Sequence, residues 1–485
     1  MSAKASPKTP AGARAGSPGS RHDANGWIYV RIEGKPRARG FQHGDLLAAE
    51  IREALATIRL LIRQDTGLEF SWFAKNAEAM FHDKLAGNYG GKLADNSGVE
   101  VLEELEGIAE GANAHRGAKV TLTDLLGWNA YPELFCRWWP AVQSGQLKPA
   151  VPMPKNKARA LARAAAHLPQ RSGFHPHHSC SAFVAVGRHT RDGEVVVGHT
   201  TWQRFANGDA YNVILDLVPE RGARILMQSV PGYVTSSTDF FITGAGLAIT
   251  EASINGNGFE PSGLPEFFRS RRAAQYAHSI RSWRDYFRLG NNGGYTNTWL
   301  LADAKRGEIS AYELTLHHDA LQPVIKNGWY AACNVPLSLD VRAFDCAPSG
   351  YDNLLQGASR RVRFDELMAQ FRGRIDADAA RAILADHHDP YRKAEFPCSR
   401  SICGHLDNDD CSVGSGNPFY PWGSLDGKVS AGPMMREMKI SARWGRACGT
   451  PLRVGDFLRE HPQFEWLRGS MKDRPTQPWT EFPGC

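Results

Sequence analysis

In HPHHSCSAFVAVGRHTRDGEVVVGHTTW, residues 175–202, one cysteine stands between a histidine-rich loop and an apolar, β-branched run. The chain turns at Arg191-Asp192-Gly193 and returns as EVVVGHTTW, bringing His199, Thr201 and Trp202 back beside Cys180. A cysteine in that position has a specific chemical option. If the Ser179–Cys180 bond is cut, Cys180 gains a free α-amine, which titrates near ~7.7–8.0, far below a lysine amine. Such an amine accepts the thiol proton close to neutral pH, directly or through water, and needs no distant histidine. The cleavage site would then be Ser179–Cys180 and the nucleophile Cys180. Taken alone, the residue fits a buried core cysteine better, since that is the common fate of cysteine.

Other clusters compete for chemistry. His175, His177, His178 and Cys180 are all potential metal ligands, but their compact spacing matches no standard zinc pattern. CSRSICGHLDNDDC carries Cys398, Cys403, His405 and Cys411 as C-x4-C-x-H-x5-C. That spacing leaves open a structural zinc, or a disulfide from Cys411 to Cys398 or Cys403. The DNDD that follows lacks the alternating ligands of a calcium loop. GNGFEPSG and LGNNGG are glycine-rich but do not join a strand to a helix in a phosphate-binding pattern. No G-x-S-x-G elbow occurs. No cofactor is called for, and no metal is assigned to the Cys180 site.

These side chains require strands to hold them. Beyond Cys180 the runs SAFVAVG, EVVVGHTTW, YNVILDLVP, ARILMQSVP, FFITGAGLAIT, TNTWLLAD and EISAYELTL read as strands bounded by Gly, Pro, Asp and Asn. PEFFRSRRAAQYAHSIRSWRDYFRLG reads as one interrupting helix, with more helix near 362–372 and 376–385. Upstream, GWIYVRIEG reads as an opening strand, followed by helices in LLAAEIREALATIRLLIRQ, VEVLEELEGIAEGANAH and LTDLLGWNAYPEL. The last has Thr123 or Asp124 as its expected cap. Strands, helices and further strands give an α+β layered core. The expected organisation is a tail over 1–25, a strand and helical region over 26–142, a basic Pro-rich linker over 143–179, and a core over 180–485.

With 485 residues, 42% hydrophobic and 22% charged, the chain has the composition of an ordinary globular protein. A net charge of +6, drawn largely from the tail and linker, is no nucleic-acid footprint. No run of ~18 apolar residues spans a membrane, and no apolar h-region follows the basic N-terminal residues. The odd count of nine cysteines argues against a full disulfide framework. The expected compartment is therefore cytoplasmic.

Several blocks in order carry a resemblance. Cys180-Ser181-Ala182 and His199-Thr200-Thr201-Trp202 resemble the Cys-Ser-Ala and His-Asn-Thr-Trp of phospholipase B-like proteins. These belong among the N-terminal-nucleophile hydrolases, with the acyl-CoA:6-aminopenicillanic acid acyltransferases as relatives. Thr200 replaces the asparagine. SVPGYVTSSTDFFIT is similar to Ser-x-Pro-Gly, Ser-x-Asp-Asp-Phe-x-Ile, with Thr238 at the first Asp. GLAITEASIN, GGYTNTWLLAD and GSLDGKVS follow in the family's order, and LEGIAEGANAH resembles the Gly-Ile-Ala-Glu-Gly-Ala helix of the acyltransferase relatives.

The resemblance implies an αββα sandwich of two stacked antiparallel sheets between helical layers. It also implies a self-processing cysteine hydrolase that cleaves a linear amide or acyl ester through a thioester at Cys180. Asn297 aligns with the family's oxyanion asparagine. His199 or Thr201 would orient the amine, or His199 would contribute a donor; Trp202 would wall an acyl pocket or simply pack; and Asp239 and Glu251 would serve structure first, or else tune the amine or bind substrate. The expected partner is a small acyl amide or a lipid acyl group, with no nucleic acid and no integral membrane; a homo-oligomer is left open. The alternatives are a phospholipase B-like lipid deacylase or acyltransferase, and a non-catalytic binding member whose chain is never cut.

Overall fold

The protein is described here as a computed structural model covering residues 19–157, 179–346, 356–408 and 421–484. The loop histidines His175, His177 and His178, Cys411, and any helix in the linker from 158 onward lie outside the described residues.

The strands are β1 (Ser20–Ala24), β2 (Trp27–Gly34), β3 (Ser179–Val186), β4 (Val196–Arg204), β5 (Val213–Pro219), β6 (Ile225–Ser229), β7 (Phe240–Thr243), β8 (Leu247–Ser253), β9 (Asn297–Asp303), β10 (Glu308–Leu314), β11 (Asp319–Leu321), β12 (Gly328–Ala332), β13 (His388–Asp389), β14 (Ala394–Glu395), β15 (Trp422–Ser424), β16 (Asp426–Ala431), β17 (Ile440–Trp444) and β18 (Thr480–Phe482). Among the described residues, one sheet runs β1-β2-β5-β6-β7-β8-β9-β10-β11 and a second runs β12-β3-β4-β16-β17-β18, with β15 also paired to β4. The β13–β14 ribbon stands apart. Two expectations change. Ser20–Ala24, placed in the tail, pairs with β2 as an edge strand. The sheets are not antiparallel throughout, because β2 joins β5 in parallel. The N-terminal strand is thereby built into the same sheet as strands more than a hundred residues later.

Alternation along β3 explains how the sheets meet. Cys180, Ala182, Val184 and Val186 share one core with β8, β9 and the rest of the first sheet, while Phe183 and Ala185 belong to a different apolar cluster on the opposite face. That outer cluster receives the helices α8 (Gln356–Gln370) and α9 (Ala377–Leu384), through Phe364, Leu367, Ile383 and Leu384.

The upstream helices are α1 (Pro36–Leu46), α2 (Ala48–Thr66), α3 (Phe70–Ala86), α4 (Ser97–Asn113) and α5 (Leu122–Asn129). The glycines of α1 and α4 let these two backbones touch. A Cβ on Gly107 would sit 2.2 Å from the Arg37 carbonyl oxygen, and one on Gly44 2.1 Å from that of Ile108. Helix α5 starts at a capping box of Thr121 with Asp124, so the cap is neither Thr123 nor Asp124 as expected, although Asp124 closes the box from the third helical position. The long helix expected from PEFFRSRRAAQYAHSIRSWRDYFRLG is two helices, α6 (Glu266–Tyr276) and α7 (Ile280–Arg288). The break lies at Ser279, which leaves helical geometry and accepts a capping hydrogen bond from the Ser282 N–H. Trp283 and Phe287 of α7 then pack on Trp299 of β9.

Candidate active site

Register brings the side chains together. Cys180 pairs with Thr201, and Ala182 with His199, so His199 and Thr201 point to the same inter-sheet face as Cys180. On the far side of β4, Lys428 of β16 pairs with His199. Glu251 comes from β8 in the facing sheet; its Oε1 lies 3.8 Å from the Cys180 sulfur. Potential ligand atoms of Cys180, His199 and Glu251 all fall within 4.8 Å of one another, and all three residues are buried.

Glu251 sits in an acidic pocket with Asp239 and Glu266 as neighbours. Burial first, then the charge of Glu266, raises its carboxyl to about 8, against hydrogen bonds that favour the anion. Asp239 hydrogen-bonds it and is pushed well above the usual carboxylate range by burial and by Glu251. Two carboxyls buried side by side favour the protonated form, because charging both at such short range is costly. Asp239 also takes a left-handed backbone, φ 53°, which aspartate tolerates better than most residues. Tyr295 donates to Glu251 at 3.4 Å. The Cys180 thiol is itself held well above its ordinary value, by desolvation and then by Glu251, so in the uncut chain it is a neutral thiol.

Asn297, expected as an oxyanion donor, is committed elsewhere. With its amide oriented so that both ends are satisfied, its nitrogen donates to Glu251 Oε2 at 3.0 Å and to the Thr296 carbonyl at 2.8 Å. It positions Glu251. His199 retains donor capacity: neither ring nitrogen meets a partner of good hydrogen-bond geometry among the described residues, and the Glu251 backbone is the polar group that its ring approaches. Burial and the adjacent Lys428 hold its imidazole well below the ordinary range, so it is neutral at pH 7 and still carries one N–H.

Thr201 is anchored on its Lys428 side, and its hydroxyl keeps an O–H to donate. Its hydroxyl accepts from Lys428 Nζ at 2.7 Å, and its backbone N–H donates to Asp426 Oδ1 at 3.0 Å. Lys428 in turn binds Asp426 at 2.9 Å and Gln228, all of them buried. Trp202 points to the other face of β4, as strand alternation requires. There its ring lies under the Arg360 guanidinium, 4.0 Å from the ring centroid. It buttresses the back of β3 instead of lining the Cys180 face.

The residues missed from sequence are Asn334, Arg360, Lys428, Asp426 and Gln228. The Cys180 backbone N–H donates to Asn334 Oδ1 at 3.4 Å. Asn334 is held by Arg360 at 2.7 Å and by its own donation to the Ser253 carbonyl at 2.6 Å. Arg360 also donates to the Cys180 carbonyl and to Ser181 Oγ. The i, i+2 spacing of Asp426 and Lys428 in GSLDGKVS signals two charges on one strand face. Asn334 and Arg360 lie 154 and 180 residues from Cys180 and carry no local signal.

A phospholipase B family model matches residues 95–344, more than half of the chain. Human phospholipase B-like 1 is 25% identical over 285 residues, covering 52% of this chain and 48% of that protein. A protein named phospholipase B from the rattlesnake Crotalus adamanteus is 23% identical over 321 residues, covering 59% of this chain and 54% of its own. Phospholipase B-like protein F of Dictyostelium discoideum is 29% identical over 155 residues, 30% and 26% of the two chains. The matches thus span from a quarter to just over half of the length of these curated relatives. Among the described residues, no helix is long and apolar enough to cross a membrane.

Proposed function

This chain belongs to the phospholipase B family, and on that premise we propose that it is a self-processing cysteine hydrolase of the αββα N-terminal-nucleophile class, acting on acyl amides or esters. The observation that carries the reading is a thiol at the second residue of a strand. Its own backbone nitrogen is gripped by Asn334 and its sulfur faces Glu251 and His199.

Processing comes first. The Cys180 sulfur attacks the carbonyl carbon of Ser179, and the Ser179–Cys180 C–N bond breaks. The departing nitrogen takes up the thiol proton, with Glu251 at 3.8 Å as relay. Water then cleaves the resulting thioester, leaving a carboxylate on Ser179 and regenerating the thiol with a free α-amine beside it. The amine inherits the place of the amide nitrogen, next to Asn334 Oδ1.

Turnover uses the same parts. The amine accepts the thiol proton, the thiolate attacks the acyl carbonyl, and the imidazole N–H of His199 meets the developing oxyanion. The ammonium returns its proton to the leaving alcohol or amine. Water then releases the acid from the thioester, with the amine as base. Neutral His199 suits the donor role, because a buried donor that is not itself charged needs no counter-ion in the resting site.

The test is the fate of the backbone. Purified wild-type protein should give two fragments, the larger beginning at Cys180 by N-terminal sequencing. Cys180→Ala should remain one chain of 53.4 kDa. An uncut wild-type chain that hydrolyses acyl substrates, or an active Cys180→Ala, overturns the proposal. The name of the rattlesnake relative favours a phospholipid ester over an amide as acyl donor. Assay of the cleaved protein against a matched panel of phospholipids and acyl amides decides between them.

A further inference from the structure

A second cysteine–histidine cluster lies on the other side of the second sheet. Cys403 and His405 were read in sequence with Cys398 and Cys411, but their neighbours are His387 and Cys448. Potential ligand atoms of these four residues all lie within 4.8 Å of one another. Cys398 turns away, its sulfur 3.6 Å from Asp389 Oδ2 beside Arg400.

The spacing inside the cluster is that of ligands around one centre. His405 Nε2 is 3.1 Å from His387 Nε2 and 3.4 Å from the Cys448 sulfur. Around a tetrahedral zinc with Zn–N near ~2.05 Å and Zn–S near ~2.3 Å, nitrogens stand ~3.3 Å apart and nitrogen and sulfur ~3.6 Å apart. A single shared proton would account for the two imidazoles facing each other, but not for two sulfurs converging on the same point. The surroundings fit metal thiolates as well. The Thr450 N–H points at the Cys448 sulfur at 3.4 Å, the outer hydrogen bond that steadies a ligating cysteine. All four donors are soft or borderline, and no carboxylate belongs to the cluster.

We propose that His387, Cys403, His405 and Cys448 form a structural zinc site. Four protein ligands fill a tetrahedral shell, so the ion has no open position for substrate. Its role is mechanical. It joins the segment entering β13, the loop through Cys403 and His405, and the turn after β17. That loop is the one pressed against the back of the Cys180 strands: a Cβ on Gly404 would lie 2.1 Å from the Trp202 ring, and the Ser424 N–H donates to the Gly404 carbonyl at 3.0 Å. Trp202 in turn carries Arg360. The site does not depend on the hydrolase reading above.

The experiment measures metal in full-length protein purified under reducing conditions from zinc-supplemented cells. One zinc per chain is expected by elemental mass spectrometry, retained in Cys180→Ala and reduced at least tenfold in Cys448→Ser and in His387→Asn. Since a variant can fail to fold, wild-type protein is also exchanged with cobalt(II), which should give thiolate-to-cobalt charge-transfer absorption and the intense visible bands of a tetrahedral site. Less than a tenth of an equivalent of zinc, loss of the metal in Cys180→Ala, no such cobalt spectrum, or a Cys403–Cys448 disulfide in the freshly reduced preparation would each overturn it.

Discussion

Two Cys–His clusters lie on opposite faces of one sheet, and their carboxylates set them apart. At Cys180 the thiol faces Glu251 and, behind it, Asp239; burial and the acidic neighbour push it up, so it stays protonated until a base arrives. At Cys448 the sulfur instead meets a second thiol and two imidazoles, with His405 Nε2 at 3.4 Å and no carboxylate in the cluster. The first environment stores a nucleophile; the second presents a sulfur ready to ligate. Residue type alone does not distinguish them, since each contains a buried cysteine and a buried histidine. The surrounding charge does.

The contrast makes testable demands, the largest at the nucleophile. Cys180→Ala should remove self-cleavage and lower acyl hydrolysis by at least ~10³-fold, the usual cost of losing a nucleophile, while Cys448→Ser should still be cut at Cys180. Intact mass and turnover check both, and equal loss in the two variants would erase the distinction. Next comes the proposed oxyanion donor. His199→Phe keeps an apolar ring near Phe240 but removes the N–H, and kcat should fall by ~10²-fold with the fold retained by circular dichroism. A fall confined to KM would move His199 out of the transition state.

Gly404 connects the two regions. At φ +68° and against Trp202, Gly404→Ala is strained twice and should cost about 2–3 kcal/mol in chemical denaturation. A loss below about 0.5 kcal/mol would show the loop is free to shift.

The smallest effect is on stability against pH. Glu133 and Glu251 keep their protons in the fold up to about 8, and Glu266 up to about 7, chiefly through burial. The unfolded chain releases them near ~4.3, so the native state binds more protons across that interval and stability declines as pH rises through it. Below the ordinary histidine value His43, held at about 4 by burial, opposes this trend because unfolding takes up its proton, but one imidazole against three carboxyls softens the decline without reversing it. Glu104, held near about 2 by Arg271 and Arg39 against burial, is ionised in both states at neutral pH and adds no slope there. Stability, followed by the melting temperature, should therefore fall from about pH 5 toward pH 8, more steeply above pH 6.5 than below it, on the order of 1 kcal/mol per pH unit after coupling among the acids. Glu251→Gln should flatten the alkaline limb. A limb that rises instead would show these acids already ionised.

Much of the scaffold was legible in the residues. The strands on either side of Arg191-Asp192-Gly193 appear as β3 and β4, and the runs from YNVILDLVP to EISAYELTL all form strands, because β-branched stretches ended by Gly, Pro or Asp have few other conformations. The α6–α7 break was not anticipated, since a serine cap in a polar, arginine-rich stretch resembles continuous helix until its hydrogen bond is seen. For the site, Cys180, His199, Glu251, Asp239 and Asn297 were all named and all lie buried on or beside the inter-sheet face. What the sequence determined by itself is which side chains sit on strands and which face each takes, for alternation with period two is local. It could not decide that Asn297 holds Glu251, that Arg360 lies over the Trp202 ring, or that Cys403 finds Cys448 in preference to Cys398. Those pairings join residues tens to hundreds of positions apart, and only sheet register and packing bring them within a few ångströms.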